Sequence, residues 1–130
     1  MFLVLLSSQS FSQTFADKKF YLIDSLKLEV LTNDDRELID SCLTLYHQTK
    51  EDTNRINALN SICENMMHDD WEKYQFFQYE LINKALKTHH SNIITQHLKK
   101  ALASALNNIG LIYNEQGNYD KALENYLATL

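Results

Sequence analysis

The chain contains no proline, and its only two glycines, Gly110 and Gly117, stand seven residues apart. An average chain of this length would hold roughly fifteen such residues. Sheet proteins spend glycine, proline and asparagine on tight turns, and loops that cradle phosphates need several glycines. A β-sandwich, a β-barrel, a dinucleotide-binding unit and a P-loop enzyme are therefore excluded. What remains is an all-α domain with short polar connections.

At 130 residues the chain predicts one domain, large enough to bury roughly two-thirds of the surface its unfolded form exposes. The charged fraction of 22% and the apolar fraction of 45% are those of a folded protein, not a disordered one. Seventeen acidic residues against twelve basic ones leave a net charge of −5. That balance lacks the clustered basic face nucleic acid requires. Lys18-Lys19 and Lys99-Lys100 read as solvated pairs.

Residues 1–13 read as an export signal. Phe2–Leu6 is a short apolar run, small residues follow two apart at Ser10 and Ser12, and no charge precedes Asp17. The run is far too short to span a bilayer, which takes about 20 apolar residues. No Lys or Arg stands ahead of it, so the expectation includes a start further upstream or an internal Met; the rival reading is an apolar segment packed on the first helix. Cys42 and Cys63 both fall on apolar helical stripes. If their helices turn near Glu51, the two thiols differ by about 6 Å along the axis. Two buried thiols are favoured over a disulfide.

The apolar spacing predicts a first helix from Ala16 to Val30 or Leu31, carrying Phe20, Ile23, Leu26 and Leu28. Thr32–Asp35 is a break and N-cap. Next come a helix with the stripe Leu38, Ile39, Cys42, Leu45 and Tyr46, and one capped by Asp52 or Thr53 with Ile56, Leu59, Ile62, Cys63 and Met66. After His68-Asp69-Asp70, a helix of about twenty residues starts at Trp71 with an aromatic-rich face (Tyr74, Phe76, Phe77, Tyr79). A helix apolar over so much of its circumference is read as core, not as a ligand box. Thr88–Asn92 breaks the pattern again, with Ser91 or Asn92 as cap. A long stripe from Ile94 to Tyr113 follows, then a last helix from Asn118 or Tyr119 that runs to Leu130 with no stop residue.

The segment ASALNNIGLIYNEQGNYDKALENYLATL, from Ala103 to Leu130, carries the strongest motif. Its slots are Leu106, Ile109-Gly110, Tyr113, Gly117, Tyr119, Ala122 and Tyr126. This closely resembles a tetratricopeptide repeat. Gly110 admits close approach of the partner helix, Tyr113 and Tyr126 fill the space between the pair, and Ala122 keeps the crossing tight. Gly117 supplies the left-handed residue that ends the first helix, and Tyr119 closes the corner. A weaker copy lies upstream in Leu59, Ile62, Cys63 and Met66. Its small residue stands 47 positions before Gly110, against roughly 34 for the repeat, so the intervening helices or break must be longer than standard.

The resemblance implies a right-handed superhelix of stacked antiparallel helix pairs, seen as a partial array that continues beyond the chain. Residues 14–50 form an atypical lead-in or cap, 51–92 a degenerate repeat-like pair, and 93–130 the repeat unit. It also implies a concave side that binds a protein or peptide, lined on the matching positions by Ser104, Asn107, Asn108, Leu111, Asn114 and Glu115. Asn108 occupies the slot of a backbone-binding groove asparagine. The basic residues of the carboxylate-clamp subclass are not evident. Self-association through the open last helix is a second expectation, and a membrane would be met only through a segment outside this chain.

No catalytic constellation emerges. His47, His68, His89, His90 and His97 are scattered, neither a His-x3-His nor a Cys-x2-Cys pair exists for zinc, and no nucleophile has a base beside it. His68-Asp69-Asp70 reads as a helix start. No cofactor is called for and no enzyme is expected. The whole pattern resembles the exported N-terminal region of bacterial sensor kinases and related signalling proteins, placed on the periplasmic side of the inner membrane. A free-standing adaptor or co-chaperone, or a cytoplasmic location, is the alternative, with a small helical enzyme or metal protein behind both.

Overall fold

Six α-helices follow one another in the computed structural model, which describes residues 14–88 and 90–130: α1 (Lys18–Tyr21), α2 (Asn33–Gln48), α3 (Asp52–Asn65), α4 (Trp71–Leu86), α5 (Asn92–Glu115) and α6 (Tyr119–Leu127). A single 3-10 turn, Leu28–Val30, lies between the first two. From α2 onward each helix packs on the next, and α3 also touches α5. Short polar connections force neighbours antiparallel. The expected export signal, residues 1–13, lies outside the described residues, as does His89.

The predicted first helix is not formed as such. Only Lys18–Tyr21 is helical, capped by the Asp17 carboxylate accepting from the Lys19 N–H at 3.0 Å. Leu22 and Ser25 then adopt left-handed backbone (φ 69° and 61°). That costs free energy at non-glycine residues, and burial offsets it. Ile23, Leu26 and Leu31 all enter the core, with Leu26 fully covered. A straight helix would turn their uneven spacing partly to solvent. The Ala16 N–H closes the strap by donating to the Leu26 carbonyl at 2.8 Å.

Helix α2 begins where expected, with the Thr32 hydroxyl accepting from the Asp35 N–H at 3.1 Å. Its stripe is shifted from the expected one. Leu43 is fully buried while Leu45 is 60% exposed. Asp35, in the first turn, is buried and caps a second element. Its two oxygens accept from the Met67 N–H at 2.9 Å and the His68 N–H at 3.0 Å, so one carboxylate fixes the α3–α4 connection against α2. On α3 all five stripe residues, Ile56, Leu59, Ile62, Cys63 and Met66, are buried. Helix α4 has 16 residues. Tyr74 is fully buried, Trp71, Phe77 and Tyr79 are half-buried, and Phe76 is exposed. Phe77 meets Tyr46 edge-on at 6.3 Å.

Two apolar clusters result. The larger joins the strap, α2, α3 and the start of α4; the smaller joins Ile56 of α3, Ile82 and Ala85 of α4, and Leu98 and Ala105 of α5. Cys42 and Cys63 both lie in the larger cluster as free thiols. Burial pushes both up, Cys63 to about 12.

The glycine-free α4–α5 break is built by side chains. Thr88 Oγ1 donates to the Ala85 carbonyl at 2.9 Å, and His90 Nε2 lies 2.6 Å from the same oxygen. Ser91 caps α5 by accepting from the Ile94 N–H at 3.3 Å. Helix α5 is 24 residues long, which accounts for the stretched repeat spacing: its first turns precede Ala103, where the repeat motif starts.

Candidate functional site

The α5–α6 corner is built on Gly110 and Gly117. Gly117 is left-handed, with φ 77°. Its N–H donates to the Asn114 carbonyl at 3.0 Å while the Asn118 N–H donates to Tyr113 at 2.9 Å, the paired bonds of a Schellman ending. Asn118 Oδ1 then accepts from the Lys121 N–H at 3.3 Å and starts α6. A Cβ placed on Gly110 would lie 2.6 Å from Tyr126 Cε1 and 2.7 Å from its Cδ1. The bare backbone is what lets the Tyr126 ring lie on α5. Ala122 is buried in the same crossing. Tyr113 is half-buried, with Lys121 Nζ 5.3 Å from its ring centroid and Phe76 edge-on at 6.3 Å. Tyr119, by contrast, is 67% exposed and does not close the corner.

The six expected groove residues form one stripe along α5. Ser104, Asn107, Leu111, Asn114 and Glu115 are exposed; Asn108 is half-buried. Asn108 is also the member whose side chain is engaged inside the protein. Its Nδ2 donates to Gln75 Oε1 at 2.9 Å, Gln75 Nε2 donates to Gln78 Oε1 at 2.7 Å, and Gln78 Nε2 donates to the Ile56 carbonyl at 3.0 Å. This chain of amides crosses from α5 through α4 to α3. Gln75 and Gln78 are buried and satisfied by it. Nothing in the hydrophobic pattern of α4 announces two buried glutamines.

The stripe extends further back than the repeat motif reaches. Ser104, Ala101, Lys100 and His97 of α5 face Ile56, Asn57 and Asn60 of α3 across a cleft of about 230 Å³, with Gln78 between them. The helical spacing that selected Ser104, continued three and seven residues toward the N-terminus, reaches Ala101 and His97. A second hollow of about 430 Å³ lies on the other side of Asn57, against Leu45, Gln48 and Thr49. Asn60 Nδ2 donates to Glu64 Oε1 at 2.9 Å.

His68-Asp69-Asp70 is a helix start, as expected: the Asp70 N–H donates to His68 Nδ1 at 3.1 Å, and Lys73 Nζ stands 3.3 Å from Asp70 Oδ1. Among the described residues no three His, Cys, Asp or Glu side chains are placed to hold a metal ion. No described helix is long and apolar enough to cross a membrane.

Sequential antiparallel helix pairs, with the first helix of one pair against the first helix of the next, define a helical repeat array. Residues 103–130 match the family model for the tetratricopeptide repeat. The match begins inside α5 and takes in the Gly110–Tyr126 contact, the Gly117 corner and all of α6. No curated protein and no solved structure matches the chain. A repeat of this kind is a protein-interaction element, and the chain carries one on an all-helical scaffold.

Proposed function

We propose that this chain is a non-catalytic polypeptide-binding domain whose site is the seam between α3 and α5. One observation carries the reading. The α5 stripe sets the Ser104 hydroxyl and the Lys100 ammonium beside the Asn57 and Asn60 amides of α3, in a cleft rather than on a flat face. Amide side chains both donate and accept, which suits them to polypeptide main chain. Ser104 meets it within the cleft, Asn107 and Asn114 continue the exposed stripe beyond it, and Asn108 holds the seam together through Gln75.

Selection of peptides from a random displayed library on the immobilised full chain tests the reading. Peptides so selected lose binding at least tenfold when Ser104→Trp or Asn57→Trp fills the cleft. Unchanged binding in both variants with native helical content discards the seam as the site. Asn107→Ala and Asn114→Ala give smaller losses.

The N-terminal run Phe2–Leu6 with Ser10 and Ser12 supports export, and together with the repeat it supports a sensory input region of a bacterial signalling protein. Recovery of the chain from a periplasmic fraction with a new N-terminus near residue 13 is the expected result; an intact Met1 on cytosolic material ends that part of the proposal. The exposed α6 residues Leu123 and Leu127 support self-association through that helix, which sedimentation at increasing concentration would register.

A further inference from the structure

The net charge of −5 conceals a division along the helices. Because neighbours are antiparallel, the end of α2, the start of α3, the end of α4 and the start of α5 share one end of the stack; a hollow lined by Lys50, Glu51, Asp52, Thr53, His90 and Ile94 joins two of these ends. Divided at helix midpoints, this end carries six Lys and Arg against three carboxylates. The opposite end, with α6, carries eleven carboxylates against three Lys and Arg. Crowding there is felt by Glu72, whose carboxyl is held above its usual range by burial and then by Asp69, Glu115 and Asp70.

The positive charge is left unpaired. Both lysine–carboxylate ion pairs among the described residues lie elsewhere: Lys18–Asp24 and Lys73–Asp70. Arg55 is engaged, its Nε donating to the Thr49 carbonyl at 2.9 Å and its guanidinium over the Tyr46 ring. Among the described residues Lys50, Lys84, Lys87, Lys99 and Lys100 have no carboxylate partner. Only Lys100 lines the α3–α5 cleft, where it stands with His97 opposite Asn57 and Asn60, and no carboxylate lines that cleft. The next hollow along the seam sets Lys50 beside Glu51 and Asp52, so of the two hollows the Lys100 cleft is the one that favours an anionic group.

We propose that the seam takes an extended acidic segment of a protein partner, with a carboxylate side chain at Lys100 and main chain against Asn57, Asn60 and Ser104. This rests on the reading of the seam as a polypeptide site and adds the chemistry of its occupant. The cleft is too small for a folded surface to enter, and its amides match an extended chain. The five unpaired lysines supply long-range attraction, which salt screens, while Lys100 supplies the local contact.

The test uses the full chain and fluorescein-labelled octaglutamate, with octalysine, a neutral Gly-Ser octamer and an eight-thymidine oligonucleotide as comparisons. Octaglutamate binds in preference to the other three, weakens about tenfold between 50 and 300 mM salt, and weakens at least fivefold in Lys100→Gln. Lys84→Gln with Lys87→Gln, outside the cleft, weakens it no more than twofold. Equal or better binding of the neutral octamer or octalysine overturns the acidic preference and leaves the polypeptide site standing. Equal binding of the oligonucleotide, or equal loss in the Lys84/Lys87 variant, shows general attraction of anions and overturns the proposal. Self-association abolished by Lys100→Gln would mean that a second copy's acidic end is the occupant, overturning a separate partner. If none of the four probes binds, the proposal fails, and the library selection on Ser104→Trp decides the seam independently.

Discussion

Helices α2 to α4 and the pair α5–α6 are stabilised in different ways. The first group has Ile39, Leu43, Leu59, Ile62 and Tyr74 fully buried in one cluster with the N-terminal strap. In α6 the only buried residue is Ala122, and Tyr119, Leu123 and Leu127 face solvent on one side. Yet α6 belongs to the clean repeat, while α2 to α4 depart from it. The repeat motif records how two helices meet each other, not how much surface they bury. A residue pair such as Gly110 and Tyr126 specifies a crossing with little area. A core specifies mainly volume, and many apolar sequences satisfy it.

The sharpest test of this contrast pairs two leucines. Leu59→Ala, in the buried face of α3, should cost about 2–5 kcal/mol in urea unfolding, whereas Leu127→Ala should stay within about 0.5 kcal/mol. Comparable losses would abolish the distinction. Asp35→Ala should cost about 2 kcal/mol, because the part-buried bonds from the Met67 and His68 N–H groups to its carboxylate are lost.

Gly110→Val should cost about 2 kcal/mol by driving a side chain into the Tyr126 ring. In a Tyr126→Ala background the same substitution should cost much less, and a double-mutant cycle reads the difference. An additive cycle would deny that the ring contact defines the crossing.

Cys63 sharpens the comparison by pH. An unfolded thiol titrates near 8.5, while burial holds the native thiol up to about 12. The native state therefore keeps a proton that the unfolded state releases. This contribution is full below about pH 8.5 and is lost as pH rises above it, at no more than about 1.4 kcal/mol per pH unit. Between pH 8.5 and 9.5, Cys63→Ala should show a shallower loss than the parent, and Cys42 contributes in the same sense. The smallest effect is at the acidic end. Ionised Glu72 is disfavoured by its surroundings, so Glu72→Gln should raise the melting temperature slightly at pH 7, and a fall would contradict the crowding described there.

Much of the fold was readable along the chain. Helices α2 to α6 follow from the 3.6-residue spacing of apolar side chains, and Thr32, Ser91 and Asn118 cap where short polar residues precede such spacing. The lead-in was not readable in the same way. Phe20, Ile23, Leu26 and Leu28 suit a helix loosely, and the left-handed turns at Leu22 and Ser25 are offset by the burial of Ile23, Leu26 and Leu31 in the larger cluster. Leu43 replaced Leu45 in the core for a related reason, since which flank of an amphipathic helix is covered depends on its neighbours. For the site, the stripe from Ser104 to Glu115 was legible from spacing. Its continuation to Lys100 and His97 became visible only when α3 was set beside α5.

The sequence by itself determined that the chain is helical, where α2 to α6 start, and that Gly110 and Gly117 frame one repeat, because caps, periodicity and a missing Cβ are local properties. The tertiary structure decided what Asn108 does and where charge accumulates. Gln75 and Gln78 bring Asn108 inward through bonds between residues up to 33 positions apart. Lysines scattered from Lys50 to Lys100 share one end only because successive helices reverse direction. Such arrangements depend on which groups folding brings together, and no spacing within one helix encodes that.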